Sequence, residues 1–245
     1  MVLDKIQRPN DVKELKEQEL PILADEIRQF IIDKVSDNGG HLASNLGVVE
    51  LTIALHRCLN FPQDKLIWDV GHQSYTHKIL TGRKNGFDSL RKYHGMSGFP
   101  KRDESNCDAF DTGHSSTSLS AGLGMVCARE LKKEKYKVVS VIGDGSLTGG
   151  LAFEALNNAA SLKSNYIMIL NDNHMSISEN VGGLSHYLAG VRTAKGYTNF
   201  KKNVKASLSK MNAIGEELER NIRRAKSMLK QVFIPGMFFD ISWTY

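Results

Sequence analysis

Residues 143–173 read GDGSLTGGLAFEALNNAASLKSNYIMILNDN, and this stretch decides the fold. The run just before it, KVVSVI at 137–142, is short and β-branched and stops at a glycine, which is typical of a buried parallel strand. Residues 147–162 carry apolar side chains at helical spacing, and YIMIL at 166–170 has the pattern of a second buried strand. The stretch therefore predicts a strand, a crossover helix and a parallel neighbouring strand.

Polar residues follow the two predicted strands at the point where each ends. Asp144 follows the first and Asn173 the second, and open α/β sheets bind ligands at this edge. Carboxylate and amide oxygens are ligands that Mg²⁺ accepts, usually together with phosphate oxygens and water. Gly145 and Ser146 open the predicted helix, so their N–H groups would face the same anion. The pattern predicts a metal-bound diphosphate, although an ordinary strand-to-helix turn can also carry Gly-Asp-Gly.

Five blocks of sequence resemble one family of thiamine diphosphate enzymes. The blocks are GGHLASNLG from Gly39, WDVGHQSYTHKILTGR from Trp68, GMSGFPKR from Gly95, DTGHSSTSLSAGLG from Asp111 and NDNHMSIS from Asn171. Together with GDG they resemble the 1-deoxy-D-xylulose-5-phosphate synthase family, within the transketolase-like superfamily. Members of that family are more than twice as long as these 245 residues. The resemblance therefore covers the amino-terminal, diphosphate-binding domain, and the pyrimidine-binding and C-terminal domains are expected to be absent.

The expected fold is one α/β domain over 1–245, with a mostly parallel sheet flanked by helices in the transketolase-like manner. Strands are expected near 65–70, 137–142 and 166–170. Residues 11–37 are expected to form two helices hinged near Pro21. A helical appendage is expected at about 184–232, where the basic residues beyond 200 are interpreted as a solvated helix face.

The resemblance implies roles for particular residues. His41 and His72 are expected to be catalytic, as proton-transfer and substrate-positioning groups, whereas His77 has the weaker claim because it lies within a helix. The remaining implied residues share contact with the cofactor or its metal ion. Cofactor contacts are expected from His72, Gly113, His114, Ser115, Gly145, Ser146 and Asn173, and metal contacts from Asp144, Asn173 and the backbone carbonyl of Met175. Without the resemblance, a loop histidine such as His41 is more often a surface or capping residue.

Composition restricts the cellular context. A net charge of +5 would permit nucleic-acid binding, but Lys and Arg are scattered along the chain, so no nucleic-acid partner is expected. Three cysteines without C-x-x-C spacing indicate free thiols in a reducing cytoplasm. The first 20 residues are charged throughout and no run of 18 apolar residues occurs, so neither secretion nor a membrane association is expected.

The resemblance also implies a reaction. The family's enzymes use thiamine diphosphate and Mg²⁺ to condense pyruvate with glyceraldehyde 3-phosphate, with loss of carbon dioxide, to 1-deoxy-D-xylulose 5-phosphate, a precursor of isoprenoids and thiamine. A homodimer is expected for the full-length form. The 245 residues alone are expected to be inactive, because the family's catalytic glutamate lies outside the matching blocks. Two alternatives remain open: the amino-terminal subunit of a split transketolase, and a catalytically inactive fragment that binds the cofactor.

Overall fold

The computed structural model describes residues 1–162 and 164–172 of the chain. The described α-helices are α1 (Leu20–Asn38), α2 (Leu42–Leu46), α3 (Val49–Cys58), α4 (Tyr75–Lys78), α5 (Ser118–Lys132) and α6 (Gly150–Leu162). The strands are β1 (Lys65–Trp68), β2 (Val138–Gly143) and β3 (Ile167–Asn171). Short 3₁₀ turns occupy Leu3–Lys5, Asp11–Glu14, Glu17–Glu19, Lys84–Ser89 and Ser146–Thr148, and a π-helical segment, Ile79–Arg83, continues α4.

The described strands form one parallel sheet in the order β1-β2-β3. Trp68 at the end of β1 is paired with Val141 of β2, and Gly143 at the end of β2 is paired with Asn171 of β3. The predicted parallel sheet with flanking helices is confirmed. Because the strands run in one direction, the loops after their carboxyl ends emerge at one edge of the sheet.

Apolar side chains cover both faces of the sheet, as expected for parallel strands between helices. On one face Leu66 and Trp68 pack with Val139 and Val141 and with side chains of α3. The opposite face is lined by a second apolar group, which includes residues of α5 and α6. Its buried members are Ile67, Val126, Val138 and Tyr166. Helix α5 is therefore fixed directly against the strands whose ends carry the candidate site.

Two predicted helix boundaries are wrong. Pro21 does not hinge two helices; it lies in the first turn of α1, where its missing N–H costs no hydrogen bond. The helix after GDG does not begin at Gly145: a 3₁₀ turn covers Ser146–Thr148, Gly149 is extended with ψ 134°, and α6 starts at Gly150. Consecutive glycines are poor helix formers, which explains the break.

The predicted appendage at 184–232 lies outside the described residues. Within the residues that are described, no helix is both long and apolar enough to cross a bilayer.

Candidate functional site

The structure brings together the two histidines that were predicted to be catalytic. His41 immediately precedes α2, and His72 lies in the loop after β1. Their ring centroids are 5.3 Å apart with the planes 70° apart, an edge-to-face arrangement. These residues are 31 positions apart in sequence, so tertiary contact alone makes them neighbours.

A third predicted residue, His114, joins this pair. Its ring is 6.2 Å from that of His72 and nearly parallel to it, at 24°. Phe99 lies 5.9 Å from both the His41 and the His114 rings. We call these four side chains the histidine cluster. Sequence reasoning assigned no role to Phe99, although it lies within the block GMSGFPKR that carried the resemblance.

Burial favours the neutral form of His41 and His72. Burial lowers the pKa of His72 to about 4, and the charges of His41 and His114 act in the same direction. The pKa of His41 is also lowered, first by burial and then by Arg91 and His114. A neutral imidazole has one nitrogen that accepts and one that donates, so each ring can exchange a proton with a ligand at neutral pH.

Each of these two rings has a buried atom without a hydrogen-bond partner among the described residues. The atoms are His41 Nδ1 and His72 Nδ1. Leaving a buried polar atom unpaired costs free energy, and such atoms usually mark a place where a ligand or an ordered water completes the bonding. The unpaired nitrogens and lowered pKa values together characterise a ligand-binding site rather than a packed core.

Asp69 joins the loops of His72 and His114. Its Oδ2 accepts a hydrogen bond of 3.0 Å from the N–H of Ser118, the first residue of α5, and its own N–H donates to Val141 O at 2.8 Å. Its carbonyl accepts from Gln73 Nε2 at 3.0 Å. A carboxylate is well suited to the amino-terminal end of a helix because that end carries partial positive charge. Asp69 thereby holds the His72 loop and the His114 loop at fixed positions.

The backbone of the His72 loop is strained. Val70 has φ 59°, a conformation that β-branched residues rarely adopt. Gly71 has φ 90°, and a Cβ there would lie 2.2 Å from Thr112 Oγ1 and 2.5 Å from Pro100 Cδ. The loop therefore needs glycine at 71, both for its backbone angle and for the close approach of two neighbouring loops. Such strain occurs preferentially at functional sites.

The predicted phosphate-binding loops lie next to each other. A Cβ at Gly149, in the loop after Asp144, would lie 2.6 Å from Ser116 Oγ, which directly follows Gly113, His114 and Ser115. Asp144 itself is buried at the end of β2, and its N–H donates to Asn171 O of β3 at 3.3 Å. The described geometry therefore places the Asp144 loop beside the His114 loop.

Gly145 and Ser146 do not lie at the start of the long helix, where they were predicted. They enter the 3₁₀ turn before α6, and the long helix starts at Gly150, five residues after Gly145. Their assignment to diphosphate binding stays a prediction, but it can no longer rest on the dipole of α6. Asn173 and Met175 lie outside the described residues. Within 1–162 and 164–172, no group of three or more His, Cys, Asp or Glu side chains is placed to hold a metal ion.

A buried polar network fixes the segment that carries Phe99. His77 Nε2 is 3.1 Å from Asp108 Oδ1, and His77 Nδ1 is 2.9 Å from His56 Nε2. Asp108 also binds both terminal nitrogens of Arg83, at 2.7 and 2.8 Å, and accepts from Lys101 N at 2.8 Å. Burial alone would raise the pKa of Asp108, but hydrogen bonds from His77 and Arg83 hold it well below its usual range. His77 is therefore a buried structural residue, as its weaker claim to function suggested.

Known proteins resemble this chain closely over its whole length. Residues 3–245 match the family model described as 1-deoxy-D-xylulose-5-phosphate synthase. The protein of that name from Lachnoclostridium phytofermentans is 60% identical over 245 residues, which are 100% of this chain and 39% of the relative. The one from Clostridium beijerinckii is 58% identical over 98% of this chain and 38% of its own length. The chain thus spans about two fifths of the length of these curated relatives.

A solved structure is similar in fold. The transketolase from Campylobacter jejuni superposes with a TM-score of 0.61 and 23% identity, over 69% of this chain and 30% of that one. At this identity the likeness shows a common fold and nothing more specific.

Proposed function

The chain belongs to the 1-deoxy-D-xylulose-5-phosphate synthase family, and from that premise we propose that it forms the diphosphate-binding part of a thiamine diphosphate transferase. The reaction proposed is the condensation of pyruvate with glyceraldehyde 3-phosphate to 1-deoxy-D-xylulose 5-phosphate. Two relatives that carry this enzyme's name are 58–60% identical to the chain, which favours this function over that of a split transketolase subunit.

One structural observation carries the proposal. The buried Nδ1 atoms of His41 and His72 lack hydrogen-bond partners within residues 1–162 and 164–172, and they lie in loops at the ligand-binding edge of the sheet. These donors and acceptors suit a polar, anionic cofactor. His72, Gly113, His114 and Ser115 would hold thiamine diphosphate together with Gly145, Ser146 and Asn173. Mg²⁺ would be held by Asp144, Asn173 and the Met175 carbonyl, a donor set with a single carboxylate.

The chemistry divides between the cofactor and the protein. When bound, thiamine diphosphate supplies the carbanion chemistry that pyruvate decarboxylation and carbon–carbon bond formation require. The protein contributes two neutral imidazoles, His41 and His72, that can hold or move a proton at Nδ1 and orient a substrate oxygen. Removing a positioned acid-base group of this kind typically lowers the rate by ~10²- to 10⁴-fold. Phe99 contacts the His41 ring in an edge-to-face arrangement, with 5.9 Å between the ring centroids.

The remaining parts of the proposal concern the cellular setting. We assign the protein to the cytoplasm, in keeping with its three free cysteines, Cys58, Cys107 and Cys127. Its partners would be the two small-molecule substrates, and the full-length enzyme would be a homodimer.

The proposal predicts that cofactor binding depends on Asp144. Thiamine diphosphate with Mg²⁺ should raise the melting temperature of the 245-residue chain, because a ligand at 100 times its Kd stabilises the folded state by about 2.7 kcal/mol. The Asp144→Ala variant should lose the Mg²⁺-dependent shift. Differential scanning fluorimetry with Mg²⁺, and with EDTA, measures it.

Asp88→Ala is the matched control, since Asp88 is an exposed carboxylate paired with Lys34. It should keep the full shift. Melting each variant without ligand separates a loss of binding from a loss of stability. An unchanged Mg²⁺-dependent shift in Asp144→Ala would show that the metal site is assigned wrongly.

A further inference from the structure

Asn45 is buried within the candidate site, although no catalytic or binding role was predicted for it. It lies in α2, four residues after His41, and its side chain is completely buried. A buried primary amide is costly unless both N–H donors and the carbonyl oxygen are paired. The neighbours of Asn45 meet this requirement.

The amide nitrogen of Asn45 joins the two histidine loops. Nδ2 donates to the backbone carbonyl of His41 at 2.6 Å and to that of His72 at 2.7 Å, which uses both of its hydrogens. Oδ1 accepts from the N–H of Tyr75, the first residue of α4, at 2.8 Å. Two carbonyl acceptors and one N–H donor fix the orientation of the amide, since the reversed assignment would place oxygen against oxygen.

Tyr75 adds a weaker second connection. Its hydroxyl accepts from the His41 N–H at 3.4 Å, and its ring is fully buried in the core formed by α1, α3 and α4. The His41 loop is thus attached to the start of α4 through Tyr75 and to the His72 loop through Asn45. Of these two connections, the Asn45 amide has the shorter and more numerous hydrogen bonds.

We propose that Asn45 is a positioning residue, whose side-chain amide sets the separation between the His41 and His72 rings. This inference deepens the proposed function, because the two rings matter to catalysis only if they act on one bound substrate and cofactor. No other amino acid of similar size offers two donors and one acceptor in one plane. A shift of about 1 Å in a positioned group can cost roughly 10²-fold in rate, so a fixed separation has functional value.

The test uses the 245-residue chain, labelled at histidine, with ring resonances assigned by single histidine substitutions. In the wild type, a nuclear Overhauser contact should connect the His41 and His72 rings. Asn45→Leu keeps the number and branching of the side-chain heavy atoms and removes all three hydrogen bonds. We expect this variant to lose the ring-to-ring contact, to move both imidazole titrations towards their ordinary range, and to bind thiamine diphosphate with Mg²⁺ roughly 10-fold or more weakly in calorimetry.

Thr52→Val is the matched control. Thr52 is also fully buried and donates one side-chain hydrogen bond, to Val48 O at 2.6 Å, within the neighbouring α3. This variant should keep the ring contact and both titrations. Asn45→Asp is the second test, since it keeps the acceptor for Tyr75 N–H and loses both donors. It should lose the ring contact as Asn45→Leu does.

The outcomes are distinct. Retention of the ring contact in a folded Asn45→Leu or Asn45→Asp variant would overturn the inference. Unfolding of both, under conditions where Thr52→Val stays folded, would show that Asn45 holds the fold and not the site, and would also overturn it. Absence of cofactor binding by the wild type would count against the proposed function, while the ring contact would still decide the role of Asn45.

Discussion

His72 shows how position changes the chemistry of a common side chain. An exposed histidine titrates near pH 6.5, but burial between His41 and His114 lowers the pKa of His72 to about 4. The folded protein therefore holds a neutral imidazole whose Nδ1 is buried and has no partner in the part of the chain that the structure describes. Retaining such a group lowers stability, which is the usual signature of residues kept for function.

This shift predicts how stability depends on pH. The unfolded chain binds a proton to His72 near pH 6.5, whereas the folded chain binds it only near pH 4. Because protonation favours the unfolded state between these two values, the free energy of unfolding is highest above pH 6.5 and decreases as the pH falls towards 4. His72→Gln should remove this decrease in the free energy of unfolding. The decrease amounts to about 1 to 3 kcal/mol once solvent screening of the half-buried ring is allowed for. Urea unfolding measured between pH 7 and pH 4 tests it.

His94→Gln, at an exposed position, is the matched control for the change of histidine to glutamine, and its pH profile is measured alongside. His41 contributes in the same direction, since its pKa is lowered too, so the slope should shrink in His72→Gln without vanishing. Parallel pH profiles for the wild type and His72→Gln would contradict a neutral His72 in the folded state.

At the scale of elements, helix α5 packs on the sheet through Gly122. A Cβ there would lie 2.2 Å from the Tyr166 hydroxyl and 2.6 Å from Ser140 Oγ. The Tyr166 hydroxyl donates to Ser140 Oγ at 2.7 Å, and its oxygen lies 3.0 Å from Leu119 O of α5. Close contact between helix and strands fixes the start of α5, which carries the His114 loop.

Gly122→Ala should therefore destabilise the protein by about 1 to 3 kcal/mol, because the added methyl group overpacks a buried contact. Thermal and urea unfolding measure the change. Gly124→Ala is the control on the same helix: apart from the helix's own backbone, no atom of the described residues lies within 4 Å of its Cβ position, so alanine there should stabilise by up to about 1 kcal/mol through helix propensity. Equal effects of the two substitutions would contradict the packing argument. Adding Tyr166→Phe to Gly122→Ala should recover part of the loss.

At the scale of the molecule, the chain spans 38–39% of the relatives that it matches. The described site supplies imidazoles and loops suited to phosphate, whereas activation of the cofactor needs a carboxyl group against its aminopyrimidine ring. Glu154, which follows the GDG turn, is exposed on α6 and cannot serve as a buried acid or base. We propose that the catalytic carboxyl group comes from the part of the family's length that this chain does not span.

We accordingly expect no sustained product formation by the 245-residue chain alone. The assay supplies pyruvate, glyceraldehyde 3-phosphate, Mg²⁺ and saturating thiamine diphosphate and detects 1-deoxy-D-xylulose 5-phosphate. The full-length relative from Lachnoclostridium phytofermentans is the positive control, and a mixture with the separately expressed remainder of that relative tests for complementation. Turnover by the chain alone, beyond one product per molecule, would mean that this part of the enzyme is sufficient.

The sequence by itself determined the parallel sheet and the identity of the candidate residues. Strand positions follow from short β-branched runs, since burial between two helical layers requires apolar residues on both faces. The start of α6 was predicted wrongly. The spacing of apolar residues contains no information about the break in the helix that Gly149 and Gly150 introduce. His41, His72 and His114 were found through motif resemblance, which identifies residues without measuring their distances.

The tertiary structure decided which side chains connect and contact His41, His72 and His114. Asn45, Asp69 and Phe99 carry no local signal of function, because their roles depend on partners 27, 49 and 58 positions away along the chain: His72 for Asn45, Ser118 for Asp69 and His41 for Phe99. A lowered histidine pKa likewise depends on burial and on neighbouring charges, which a linear pattern does not contain. Local periodicity fixes elements, whereas hydrogen bonds between distant loops fix the geometry of a site.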